Sequence, residues 1–163
     1  IATDASSDTV FKGSMCFVAG NGDYRLRTRE TKASTDELEL EALTLALKYL
    51  LKVGARKAVI ESDSVAALEA VEQIVHKRGS KASRPGRTWR GVSSGARSRF
   101  QQAWGDIQDQ CEVDIRRVLG HAGDPLNRAA DQIAYMGLRA IAHPMKQSRE
   151  TLREGIQKAL LAL

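Results

Sequence analysis

The chain has 163 residues, 42% of them hydrophobic, enough for one packed domain with an appended segment and too apolar for a disordered chain. Lys and Arg number 25 against 20 Asp and Glu, a net charge of +5, and no apolar run approaches the roughly 18 residues of a membrane span. No secretory leader pattern opens the chain, and it starts at Ile1 rather than at a methionine, so a preceding segment stays open.

Residues 1–5 read as a short strand that closes at Asp4, and 11–19 and 24–29 as two more. "GNGD" at 20–23 is a hairpin turn signal between the second and third. A helix follows over 35–52, capped by Ser34 or Thr35 and stopped by Gly54. "KAVIESD" at 57–63 reads as a buried strand, and 64–76 as a second helix. Residues 77–95, rich in Gly, Ser, Arg and Pro, read as an irregular excursion before a helix over 96–110. A strand is expected over 113–119 and a helix over 124–142, with Pro125 in its first turn. An amphipathic helix over 148–163 ends the chain, with Leu152, Ile156, Leu160 and Leu163 at helical spacing. The order predicts an α/β domain with a five-stranded mixed sheet: a three-stranded antiparallel meander, then parallel strands reached by helical crossovers. The expected organisation is a domain over 1–143, with a basic excursion at 76–99, followed by a C-terminal helix within 144–163.

Charge is unevenly placed. Eight basic residues lie between His76 and Arg99 with no Asp or Glu among them, and outside that window 17 basic residues stand against 20 acidic. A mildly acidic body therefore carries one strongly basic segment. Cys16 and Cys111 are far apart in sequence and read as buried thiols of a reducing compartment, with a disulfide as the other option.

Three carboxylates stand out. On a projection of the 35–52 helix, Glu37, Glu41, Thr44, Lys48 and Lys52 share a stripe that reads as the solvent face, whereas Glu39 lies with Leu43, Ala46, Leu47 and Leu50. A carboxylate in an apolar stripe is costly unless paired or released to solvent at the helix end. Asp4 and Asp63 each close a strand, where α/β sheets bind ligands. Alone, Asp4 serves equally as a turn residue and Asp63 as a helix cap. If the two strands are adjacent and parallel, both acids meet Glu39, and such a cluster calls for a hard divalent cation. By periodicity, Asp131 beside Asn127 reads as an exposed helix residue, and His121 as a loop histidine.

"TDAS" (3–6), "STDELELEALTLAL" (34–47), "ESDS" (61–64) and "GHAGDPLNRAAD" (120–131) together resemble type I ribonuclease H, in the family's order, from residue 1 to about 142. The resemblance implies an Asp4, Glu39, Asp63 and Asp131 metal site. It implies two Mg²⁺ ions, replaceable by Mn²⁺, about 4 Å apart across the scissile phosphate. One would activate a water and the other would stabilise the leaving oxygen. The implied reaction cuts the RNA strand of RNA–DNA hybrids, leaving 5′-phosphate and 3′-hydroxyl ends. His121 takes the position of a family histidine credited with proton transfer or product release. The resemblance makes Ser6, Ser34, Thr35 and Asn127 nucleic-acid-binding candidates. It also gives the basic segment, with Lys77, Arg78, Lys81, Arg84, Arg87, Trp89 and Arg90, the place of a protrusion that grips the hybrid, with Trp104 just beyond it. A monomer, cytoplasmic if the source is bacterial, accompanies this reading, with the last helix packed on the domain or on a partner.

Some positions depart from the family pattern. No glycine follows Asp4 until Gly13, Thr35 and Asp36 replace the usual asparagines, and Val65 replaces a glutamine. These changes bear on how the hybrid is read more than on the carboxylates. They keep two other readings in view: a nuclease of DNA or double-stranded RNA, and an inactive nucleic-acid-binding module.

Overall fold

A computed structural model of the chain describes residues 1–8, 11–76, 92–119, 124–144 and 148–163. The basic excursion at 77–91 and the loop with His121 lie outside the described residues. Five strands form one sheet: β1 (Ala2–Ser7), β2 (Lys12–Val18), β3 (Tyr24–Glu30), β4 (Lys57–Ser62) and β5 (Glu112–Arg117), in the order β3-β2-β1-β4-β5. The β1–β2 and β2–β3 pairs are antiparallel, and the β1–β4 and β4–β5 pairs are parallel. This is the expected mixed sheet. The β2–β3 turn closes through Ala19 and Asp23, with Gly22 at φ 86°, a conformation that favours glycine.

Helix α1 (Thr35–Val53) starts at Ser34, whose hydroxyl accepts from the Glu37 N–H at 3.1 Å, and stops at Gly54, left-handed at φ 68°. The choice between Ser34 and Thr35 thus falls to Ser34. Helices α2 (Val65–His76) and α3 (Ser94–Ile107) follow. Helix α4 (Pro125–Ala142) is capped by Asp124 with Pro125 in its first turn, and α5 (Arg149–Leu160) is capped by Ser148. No helix among the described residues is long and apolar enough to cross a membrane.

Two cores flank the sheet. On one face Met15, Phe17 and Ile60 meet Leu38, Leu43, Leu47, Ala67 and Phe100, joining the strands to α1, α2 and α3. On the other, Ala2, Cys16 and Val18 meet Ile133, Ala134, Ile156 and Ala159 from α4 and α5. Period-2 alternation along β1 and β2 sends neighbouring side chains to opposite cores. Gly137 of α4 sits so close to the sheet that a Cβ there would lie 2.6 Å from Ser14 Oγ and 2.7 Å from Leu26 Cδ1. Cys16 and Cys111 are free and buried.

Three expectations give way. Glu41 and Thr44 are buried, at 7% and 4% exposure, rather than on a solvent face. The projection allowed α1 one buried side, but α3 packs on it as well as the sheet, and Glu41 is held there by Arg29 of β3 and Arg99 of α3. Asp4 sits in mid-strand, opposite Cys16, because β1 runs on to Ser7. Trp104 does not reach outward: it is half-buried and stacks on Phe100 with ring centroids 6.4 Å apart.

Candidate active site

The parallel β1–β4 register brings the acids together. Ala2 pairs with Glu61, and the same offset carried two residues on sets Asp4 beside Asp63, which follows the end of β4. Asp63 is not spent on capping α2, since the Ser64 hydroxyl accepts from the Ala67 N–H at 3.2 Å. Glu39, in the second turn of α1, enters from the helix layer. One carboxylate oxygen from each of Asp4, Glu39 and Asp63 lies within 4.8 Å of the others.

A single backbone donor organises two of the three. The Ala5 N–H donates to Asp4 Oδ1 at 2.7 Å and to Glu39 Oε1 at 3.1 Å. Glu39 Oε2 is fully buried with no hydrogen-bond partner among the described residues. Among the described residues, no lysine or arginine forms an ion pair with Asp4, Glu39, Asp63 or Asp131, although Glu41 and Glu61 on neighbouring positions are each paired. The cost shows in the titration. Burial pushes Asp4 up to about 7, reinforced by the charges of Asp131 and Asp63 and partly offset by contact with the Glu39 carboxyl and the Ala5 N–H. Glu39 is raised well above the usual carboxylate range by burial and then by the Asp4 charge. The Cys16 thiol, on the same side of the sheet as Asp4, is pushed up by burial and by both carboxylates, which keeps it a neutral thiol donating to Ala130 O at 3.1 Å. Three converging carboxylates, with no ion-paired lysine or arginine among the described residues, make a donor set that suits a hard divalent metal.

A sequence model of the RNase H family matches residues 1–139. The chain belongs to the RNase H family. It is 30% identical over 121 residues to a ribonuclease H of Maricaulis maris (strain MCS10), an alignment covering 69% of this chain and 72% of that one. Membership makes the chain a ribonuclease, and the family's fold is the sheet order described above. Helix α5 lies beyond the matched residues.

The remaining candidates of this RNase H domain fall into three groups. Asp131 is half-buried on α4, outside the trio but near enough for its charge to raise Asp4. Asn127, one turn earlier, is 6% exposed, with its side-chain carbonyl unpartnered. Ser6 is half-buried on β1 beyond Asp4, while Ser34 and Thr35 begin α1, with the Thr35 hydroxyl 2.7 Å from that of Ser7. His121, Lys77, Arg78, Lys81, Arg84, Arg87, Trp89 and Arg90 lie outside the described residues. Two further contacts escaped the sequence reading. Glu37 Oε2 accepts from the Ser93 N–H at 2.9 Å and, with the Glu41–Arg99 pair, ties the start of α3 to the helix that carries Glu39. In the β1–β2 turn, where a glycine-rich loop is missing, Phe11 adopts φ 61° and stands exposed, with the Lys32 ammonium 5.3 Å from its ring centroid.

Proposed function

We propose that this domain hydrolyses the RNA strand of RNA–DNA hybrids at the Asp4–Glu39–Asp63 cluster, with Asp131 as a fourth carboxylate. Asp4, Glu39, Asp63 and Asp131 would hold two Mg²⁺ ions, for which Mn²⁺ can substitute. When bound, such ions supply an activated water and charge stabilisation of the departing oxygen. The water oxygen bonds to phosphorus as the bond from phosphorus to the 3′ oxygen breaks, leaving 5′-phosphate and 3′-hydroxyl ends. The Ala5 N–H holds one oxygen of Asp4 and one of Glu39, which leaves Glu39 Oε2 without a hydrogen-bond partner among the described residues. His121 is assigned proton transfer or help with product release. Ser6, Ser34, Thr35 and Asn127, with the basic residues from Lys77 to Arg90, are assigned to the nucleic acid.

The observation that carries this reading is the convergence of one carboxylate oxygen from each of Asp4, Glu39 and Asp63, beside a buried Glu39 Oε2 that has no hydrogen-bond partner among the described residues. Family membership supports the substrate class. A second reading, a nuclease of duplex RNA or DNA, draws on Val65, 45% exposed at the start of α2, and on Thr35 opening α1. The test uses one labelled strand in an RNA–DNA hybrid, duplex RNA, duplex DNA and single-stranded RNA, with Mg²⁺ or EDTA. Cutting confined to the RNA of the hybrid and abolished by EDTA supports the proposal. Preferential cutting of duplex RNA or DNA moves the assignment to the second reading.

A further inference from the structure

Strand β3 forms one edge of the sheet and packs mainly on α4, through Leu26. Cross-strand register places Arg25 opposite Phe17, Arg27 opposite Met15 and Arg29 opposite Gly13, so all three arginines lie on the other side of the strand, where Arg25 and Arg27 are exposed. Arg29 has a structural use, pairing with Glu41 at 2.9 Å. Arg25 and Arg27 form no ion pair among the described residues, and neither do Lys48 and Lys52, which face them from α1. These four cations border a cavity of about 330 Å³ whose apolar part includes Phe17 and Tyr49, with ring centroids 4.8 Å apart.

The cavity has little anionic charge of its own. Asp23 is the one acid in its lining, and its carboxylate already accepts from the Tyr49 hydroxyl at 2.6 Å and the Asn21 amide at 3.1 Å. Four cations against one engaged carboxylate repel one another, and Lys48 and Lys52 do so at i,i+4 spacing, an arrangement that weakens a helix. An anionic ligand removes that repulsion. Arg25 and Arg27 are two strand residues apart, and Lys48 and Lys52 one helical turn apart, giving two rows of cations spaced by about 6–7 Å. Paired rows of this kind suit successive phosphates on a strand better than a single small anion.

The carboxylate cluster lies elsewhere. Lys48 and Lys52 follow Glu39 by nine and thirteen residues on one helix, about 14 and 20 Å along its axis. We infer that the α1–β3 cavity is a second nucleic-acid site, binding the phosphates of a single strand through Arg25, Arg27, Lys48 and Lys52, apart from the carboxylate cluster. The choice of nucleic acid among polyanions rests on the ribonuclease reading.

The test is amide NMR on the full chain in EDTA, titrated with a 5′-phosphorylated single-stranded DNA hexamer and, separately, with inorganic phosphate at equal phosphate concentration. The hexamer is expected to shift the amides of 24–27 and 48–53, and inorganic phosphate to shift them far less. Arg27→Ala with Lys48→Ala should weaken the hexamer about tenfold or more at low salt and make the log–log salt slope shallower by about 1.4, near 0.7 per lost cation. Arg27→Lys with Lys48→Arg should retain most of the affinity, which separates lost charge from lost fold. Absence of those shifts, an equal response to inorganic phosphate, or an unaltered affinity in the alanine variant overturns the site. Hybrid cleavage in Mg²⁺ is followed in parallel. Shifts without cleavage would leave the second site and remove the ribonuclease reading, and cleavage without shifts would do the reverse.

Discussion

Replacing Asp4 by Asn should stabilise the metal-free protein while disabling it. In the folded chain Asp4 is raised from 3.8 to about 7, chiefly by burial. Below pH 4 the carboxyl is protonated in both folded and unfolded states and costs nothing. Between pH 4 and 7 the unfolded chain releases its proton while the folded chain keeps it, so stability falls as pH rises and levels off above 7. About three pKa shifts' worth of 1.4 kcal/mol each gives a cost on the order of 4 kcal/mol at pH 8, an upper value because the site relaxes. Asn is isosteric and neutral and removes that cost. At 2–4 °C per kcal/mol, the variant should melt on the order of 10 °C above the parent at pH 8 in EDTA. The gap should close towards pH 5. Adding Mg²⁺ should raise the parent's midpoint and move the variant's much less. Thermal unfolding followed by circular dichroism at pH 5, 6, 7 and 8 reads all of this. A variant that melts at or below the parent at pH 8 in EDTA would refute the reasoning, because the buried carboxylate would then be stabilising without a cation.

Other consequences follow from the same structure. Mg²⁺ affinity, measured by calorimetry, should rise with pH between about 6 and 8, because Asp4 and Glu39, both raised by burial, must lose protons to bind; a flat profile would contradict the burial argument. Glu41→Ala should cost roughly 1–3 kcal/mol in urea unfolding, since it leaves Arg29 and Arg99 without the carboxylate they share, discounted for their partial exposure. A change under about 0.5 kcal/mol would show that the pairing contributes no net stability. Gly137→Ala should destabilise by about 1–3 kcal/mol despite alanine's better helix propensity, because its Cβ would meet Ser14 and Leu26 at under 3 Å. A rise in melting temperature would mean that β2, β3 and α4 yield without cost.

Local signals carried much of the fold. The "GNGD" turn, Gly54 and Asp124-Pro125 mark conformations that few other residues satisfy, and the structure uses each as expected. Alternating helix and strand after a meander sufficed for the mixed sheet, since crossovers leave few topologies, while the order β3-β2-β1-β4-β5 came from the structure. The Glu39 anomaly was legible because a carboxylate in an apolar stripe conflicts with burial. Glu41 was not, because its burial depends on α3, an element that a projection of α1 alone does not contain. Asp131 read as exposed for the same reason: its half-buried place depends on how α4 lies against β1. The clustering of the β3 arginines was invisible until cross-strand register fixed which face they shared.

The most direct test of the central claim is Asp63→Asn assayed beside the parent on one RNA–DNA hybrid, with cleavage in Mg²⁺ and binding in EDTA measured on the same preparations. The account predicts that cleavage is lost by orders of magnitude while hybrid affinity stays within a few-fold, because Asp63 belongs to the carboxylate cluster and not to the cationic surfaces. Undiminished cleavage by the variant would contradict it, and so would a parent that binds the hybrid and never cuts it.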